Sequence, residues 1–314
     1  MGPSQPAPTA PEADTDGALT QLGPPTTGTA IAGVPVVPRP SRRVLALRAF
    51  LRTPSAVVGL VVAAFWVACA IFWPVFAPYD PYAQDYSALL ARPSPAHLFG
   101  TDQYGRDVLS RVLAGSREVL TIAPAATLIG LAGGILVGLV SAYYRGWLDE
   151  IVMRVMDAIM AFPVVVLALL VLAVLGTSPV NVVLIIGFTY IPLTGRVVRA
   201  AALAVRDLDY VAAARLRGAR GIDIMLTEIL PNIAGPIIVE GTVRVGYAIF
   251  AAASLSFLGL GVQPPSPDWG AMVNDTHIFL QSDPWIVLAP TLAIASLVVA
   301  INLVADGLRR AERA

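Results

Sequence analysis

Glu240 and Arg244 stand four residues apart inside an apolar stretch. At that spacing a carboxylate and a guanidinium meet along one helix face. An isolated charge at the centre of a membrane span costs roughly 2.5–3.5 kcal/mol on insertion scales. The two are therefore either a structural ion pair or part of a solute path, and both readings stay open. Tyr247 joins them as a candidate path residue. The other reactive side chains point away from catalysis. His97 and His277 are the only histidines, and neither has a second histidine or cysteine nearby, so no metal site is expected. Cys69 is the single cysteine, which excludes an internal disulfide. All 21 basic residues are arginine. Without lysine there is no phosphate-binding Gly-x-x-x-x-Gly-Lys loop. No nucleophile stands with a matching base. The chain is expected to be no enzyme and to bind no cofactor itself.

A second pattern suits contact rather than reaction. Asp207 or Asp209 can cap a helix through Ala212, Ala213, Ala214 and Leu216, all strong helix formers. Gly218 and Gly221 bracket a turn around Ala219. A second helix, containing Asp223, runs from Ile222 to Leu230 and is closed by Pro231. Two short helices at an angle would make a protruding knob over 207–232. A third pattern is the run from Gly100 to Asp107, whose glycines and aspartates can either turn the chain and cap a helix or present a contact to a partner protein. That helix, Val108 to Val119, is amphipathic and is placed at the outer membrane interface. The segment from Gly259 to Pro284 carries Gln263, Pro264, Pro265 and Trp269, with Trp285 just beyond. These make either a stiff, partly apolar docking surface or a lid on the protein's own outer face.

The elements that must position these residues are membrane helices. Of 314 residues, 56% are hydrophobic and 13% charged, against about 25% charged in a soluble domain. Mean hydropathy is +0.73. Formal net charge is zero, which gives no basic excess for nucleic acid. Six stretches approach the roughly 20 apolar residues of a span: Ala56–Phe76, Val119–Tyr143, Ile159–Leu175, Val180–Leu193, Gly235–Phe257 and Trp285–Val304. With the N-terminus inside, sixteen arginines fall in inner segments and four in outer ones. That asymmetry places both termini in the cytoplasm. Gly130, Gly134 and Gly138 line one face of the second span, where another helix can approach closely, in this subunit or a partner. Residues 1–44, rich in Pro, Thr, Gly and Ala, are expected to form a disordered cytoplasmic tail. Residues 45–314 form the transmembrane domain.

These motifs, in this order, carry a resemblance. Phe99-Gly-Thr-Asp-Gln-Tyr-Gly-Arg-Asp107 with Ser110-Arg111 resembles the GTDxxGRDxxSR signature of dipeptide, oligopeptide and nickel ABC importers. Asp149, Ala161-Phe-Pro163, Leu255-Ser-Phe-Leu-Gly-Leu-Gly261, Asn302 and Asp306-Gly-Leu-Arg309 fit the same family. Ala212, Ala213, Ala214, Gly218, Leu230 and Pro231 resemble its EAA motif, with Ala212 in place of the glutamate. The chain thus resembles the C-type permease subunit of that bacterial family over about residues 45–310. The resemblance implies an all-α polytopic fold with six transmembrane helices, the type I ABC importer permease. It implies a multi-pass protein of the bacterial plasma membrane. It implies as partners a second homologous permease, two ATPase subunits that carry ATP and Mg, and an extracytoplasmic peptide-binding protein. Ala212–Ala214, Gly218, Ala219, Asp223, Leu230 and Pro231 would meet the ATPase. The stiff surface of Gln263, Pro264, Pro265 and Trp269, where it is not a lid, would meet the binding protein. Peptides are the implied cargo. Nickel or another small solute, or an autonomous secondary transporter, are the alternatives; acids are nearly absent from the span centres, which counts against the last.

Overall fold

The computed structural model describes residues 50–313, and the tail expected over 1–44 lies outside the described residues. The helices are α1 (Pro54–Phe76), α2 (Val108–Tyr144), α3 (Gly146–Met160), α4 (Val164–Leu175), α5 (Pro179–Arg206), α6 (Asp209–Leu216), α7 (221–232), α8 (Ala234–Phe257), α9 (Trp269–Thr276) and α10 (Pro284–Arg313). Five of them, α1, α2, α5, α8 and α10, are long and apolar enough to cross a bilayer. The pair α3–α4, bent by 82°, makes a sixth crossing if counted as one span.

That bend corrects the third span expected over Ile159–Leu175. Pro163 disfavours helical geometry at Phe162 and breaks the apolar run at its start. The preceding α3 carries Asp149, Glu150, Arg154 and Asp157, so it is amphipathic rather than uniformly apolar. Helix α4 alone has 12 residues, about 18 Å at 1.5 Å per residue, short of the hydrocarbon thickness of about 30 Å.

A second correction concerns Val108–Val119. This stretch is no separate interfacial helix but the start of the 37-residue α2. Its residues Val108, Ser110, Arg111, Val112, Ala114 and Ser116 are buried around the whole circumference. The polar positions that suggest an interfacial face are covered by protein.

The bundle closes through small residues. Gly130, Gly134 and Gly138 face α5, so they serve packing within this subunit. A Cβ at Gly134 would lie 2.5 Å from the Thr194 Cβ, and one at Gly138 2.6 Å from the Gly195 carbonyl oxygen. Backbones that close gain dispersion contact that bulkier residues would block. Towards one end of α2 the core gathers Trp66, Trp269, Ile249, Leu255 and Ile286. Towards the other, Leu139, Ala142, Val198 and Ala202 receive the buried faces of α6 and α7.

Candidate functional site

The knob is built as two short helices on the ends of α2 and α5. Leu208, in extended conformation, precedes α6, and neither Asp207 nor Asp209 caps it through its side chain. Asp209 instead lies in the first turn, where its charge complements the helix dipole. Asp207 turns to Arg145, 3.4 Å away. The helix ends as Gly218 implies. Gly218 takes φ +77°; its N–H donates to the Arg215 carbonyl at 2.9 Å, and that of Ala219 to the Ala214 carbonyl at 3.2 Å. This paired closure is the Schellman motif.

Helix α7 does not stop at Pro231. It continues to Asn232 through a widened turn over Ile224–Ile229. Proline has no N–H to donate to the preceding turn, and a widened turn of this kind is frequent at functional sites. Val211, Ala214, Ile224, Met225 and Ile229 face inward. Arg217 and Glu228 approach to 3.7 Å and tie the two helices together.

What the knob leaves outside includes an apolar patch. Leu216 is 90% exposed, and Leu208, Ile222 and Leu226 are about half exposed. Sequence reading missed these four. Their signal was apolar positions left over once the inward face of each helix is assigned. Ala212, Gly218, Ala219, Asp223 and Pro231 are exposed beside them, Ala213 and Leu230 half-buried. Ala214 is 1% exposed, so its place in an ATPase contact is corrected: its methyl packs within the knob.

At the opposite end a polar knot fixes the segments 77–107 and 258–283. Asp102 accepts from the backbone N–H of Tyr104 at 2.8 Å and of Arg106 at 3.0 Å, and from Arg106 Nε at 2.7 Å. Asp107 caps α2 by accepting from the Ser110 N–H at 2.8 Å, and its other oxygen lies 2.9 Å from His97 Nδ1. Arg111, 2% exposed, donates to the Pro81 carbonyl at 3.0 Å and to the Ser266 carbonyl at 3.3 Å. One guanidinium thus joins both segments to α2. Burial pushes the Asp275 carboxyl up, against the pull of Arg106 and Arg111. Among the described residues, no three His, Cys, Asp or Glu side chains converge as a metal site would require.

Comparison with known proteins decides the family. Residues 134–312 match the model of the binding-protein-dependent transport system inner membrane component, and residues 41–93 that of the N-terminal TM domain of oligopeptide transport permease C. The chain belongs to this permease family. It is 38% identical to a dipeptide transport system permease protein of Alkalihalophilus pseudofirmus, over 85% of this chain and 88% of that one. It is 41% identical to a glutathione transport system permease protein of Pectobacterium atrosepticum, over 84% and 88%. A di/tripeptide transport system permease protein of Pseudomonas aeruginosa is 40% identical, over 84% and 89%. The fold resembles a chain of the inward-facing MetNI methionine ABC transporter, with TM-score 0.54 and 16% identity, over 65% of this chain and 95% of that one. The protein is a multi-pass permease of the bacterial ABC importers.

In this permease the charged pair of α8 is formed. Arg244 Nε donates to Glu240 Oε1 at 2.6 Å, with both side chains largely buried. The guanidinium also lies 5.7 Å from the Tyr190 ring centre and 5.6 Å from that of Tyr247, within range of a cation–π attraction. Tyr247 is exposed. The outer candidates divide. Gln263, Pro264 and Pro265 are exposed. Trp269 is not: it is 0% exposed, donates from Nε1 to the Val112 carbonyl at 2.8 Å, and stacks edge-on against Trp66. Its assignment as a binding-protein contact is corrected. A large ring beside the small Gly115 of α2 fills space that no surface residue could. Asp268 caps its helix by accepting from the Ala271 N–H at 2.9 Å, and burial pushes its carboxyl up.

Proposed function

We propose that this permease moves peptides inward with a second homologous permease, two ATPase subunits that hold ATP and Mg, and an extracytoplasmic peptide-binding protein. The observation that carries the reading is the exposed apolar surface of the knob. Leu216, Ile222 and Leu226 project from a rigid two-helix unit rooted in the core, and such a patch marks a protein contact. An ATPase that closes on ATP would push this unit, and through α2 and α5 switch which side the cavity faces. Peptide cargo follows from the relatives' names, which specify dipeptides, di/tripeptides and glutathione. Both termini lie in the cytoplasm on the arginine asymmetry, and Gln263–Pro265 meet the binding protein.

Single cysteines test orientation and docking together. Native Cys69 is buried and should stay silent. An impermeant thiol reagent should label Ser87→Cys and Gln263→Cys from outside and Ala314→Cys from inside. Loaded binding protein should shield Gln263→Cys alone. Labelling of Ser87→Cys and Ala314→Cys from one side would refute the topology; failure to shield Gln263→Cys would refute the docking surface.

Glu240, Arg244 and Tyr247 are proposed to border the path. A guanidinium with aromatic neighbours can greet a peptide carboxylate, while Glu240 keeps it paired in the empty state. In the assembled complex Tyr247→Cys should react with a small charged thiol reagent and be protected by transported peptide. No reaction there, with Ser87→Cys reactive in parallel, would place Tyr247 against lipid or protein.

A further inference from the structure

We infer that Arg145, Arg206 and Arg215 form an anion site for a phosphate group at the base of the knob. Arg206 ends α5, and its side chain is mostly buried. Nε and Nη1 are both buried without a hydrogen-bond partner. The nearest carboxylate is that of Asp207, 3.8 Å from Nε, too far for a good hydrogen bond. The same carboxylate is shared with Arg145 Nη2 at 3.4 Å. Arg215, from α6, lies over the Tyr143 ring at 5.4 Å. Arg145 and Arg215 both stand near enough to Arg206 for their charges to repel it. Asp149 is bound by Arg199 at 2.6 Å, although it also feels Arg145, and Glu228 stands 3.7 Å from Arg217. Arg145 and Arg206 therefore share one half-exposed carboxylate, and no ion pair to Arg215 forms among the described residues.

Two features say that this excess is built in. A buried polar group without a partner is uncommon in native proteins and calls for a missing ligand, ion or water. Arg145 also takes φ +52°, a conformation that an L residue adopts at a cost and glycine freely. A phosphate offers several acceptor oxygens and the charge to balance the cluster, and the guanidinium fork suits it better than an ammonium. The group can belong to an anionic phospholipid headgroup or to free phosphate. Its placement on the cytoplasmic face rests on the proposed orientation; the binding chemistry does not.

The test uses the delipidated complex with full-length permease, titrated with short-chain phosphatidylglycerol, short-chain phosphatidylcholine or inorganic phosphate and followed by native mass spectrometry. Wild type should retain phosphatidylglycerol or phosphate at least about tenfold more tightly than phosphatidylcholine. Arg206→Gln and Arg215→Gln should each weaken that retention by about tenfold, the scale of one charge-assisted contact; Arg92→Gln, on an outer segment, should not. Preference for phosphatidylglycerol names the lipid, and full competition by phosphate names the free ion. Should Arg206→Gln fail to assemble, the exposed Arg215 decides alone. Equal retention by wild type and Arg215→Gln, or no retention of either anion, overturns the site. Because the readout is binding, that result would leave the ATPase contact of the knob standing.

Discussion

Replacing Gly218 with Asp should leave the permease inserted and assembled in the membrane, yet lower peptide uptake and binding-protein-stimulated ATP hydrolysis by about tenfold or more. Gly218 closes α6 at φ +77° with no other atom within 4 Å of an added Cβ. The change therefore meets no steric wall inside the chain. The left-handed backbone adds roughly 1–2 kcal/mol for a residue with a Cβ, less for Asp, whose side chain tolerates it. What remains is a charge placed between Leu216 and Ile222, beside the exposed Arg217 and Arg220. Sealed in a closed contact away from water, that charge would cost several kcal/mol wherever Arg217 or Arg220 did not pair with it, enough to dominate the backbone term. Gly218→Asn supplies the same shape without the charge and should be markedly milder. Reconstituted vesicles measure both. Uptake by Gly218→Asp at the wild-type rate would show that nothing docks at this elbow.

Replacing Asp102 with Ala should loosen the outer face. Arg106 and Arg111 would lose the carboxylate they surround at 2.7 Å and 3.8 Å. Removing one partner of a buried ion pair typically costs about 3–5 kcal/mol, because the remaining charge stays desolvated. Both outer segments hang on Arg111, so protease should cut within 77–107 and 259–283 in the variant far faster than in wild type. Asp80→Ala, which removes an exposed turn contact to the Tyr82 N–H, should change the rate little. Equal cutting of Asp102→Ala and wild type would mean that the outer knot is not what orders these segments.

These two sites differ in how far residue types announced them. Gly218 was legible because a Gly after a run of alanines is the standard end of a helix, and the hydrogen bonds follow that logic. The aspartates of the GTD stretch were legible as turn and cap residues, and Asp107 caps α2 as expected. Four of the six spans start close to where the apolar runs start. The remainder depended on tertiary burial. Arg111 and Ser110 look solvent-facing in one dimension and become interior once two outer segments fold over them. Trp269 sits in a Pro-rich outer segment that suggests a surface, yet the glycine it packs on lies more than 150 residues earlier. The bend before α4 was masked because α3 ends in Ile159 and Met160, which extend the apolar run past the break. At the knob, helix existence could be read, but which apolar residues turn outward depends on where α6 and α7 meet α2 and α5.

Contact between Leu216 and an ATPase subunit is the most direct test of the central claim that the 207–232 knob transmits ATP-driven closure. Leu216→Cys, carrying a short thiol-reactive crosslinker in the assembled complex, should join the ATPase subunit efficiently, and its yield should change when ATP is added. Ser87→Cys should give no such product. Absence of any ATPase adduct from Leu216→Cys in an active complex, or its capture by the binding protein instead, would contradict the account.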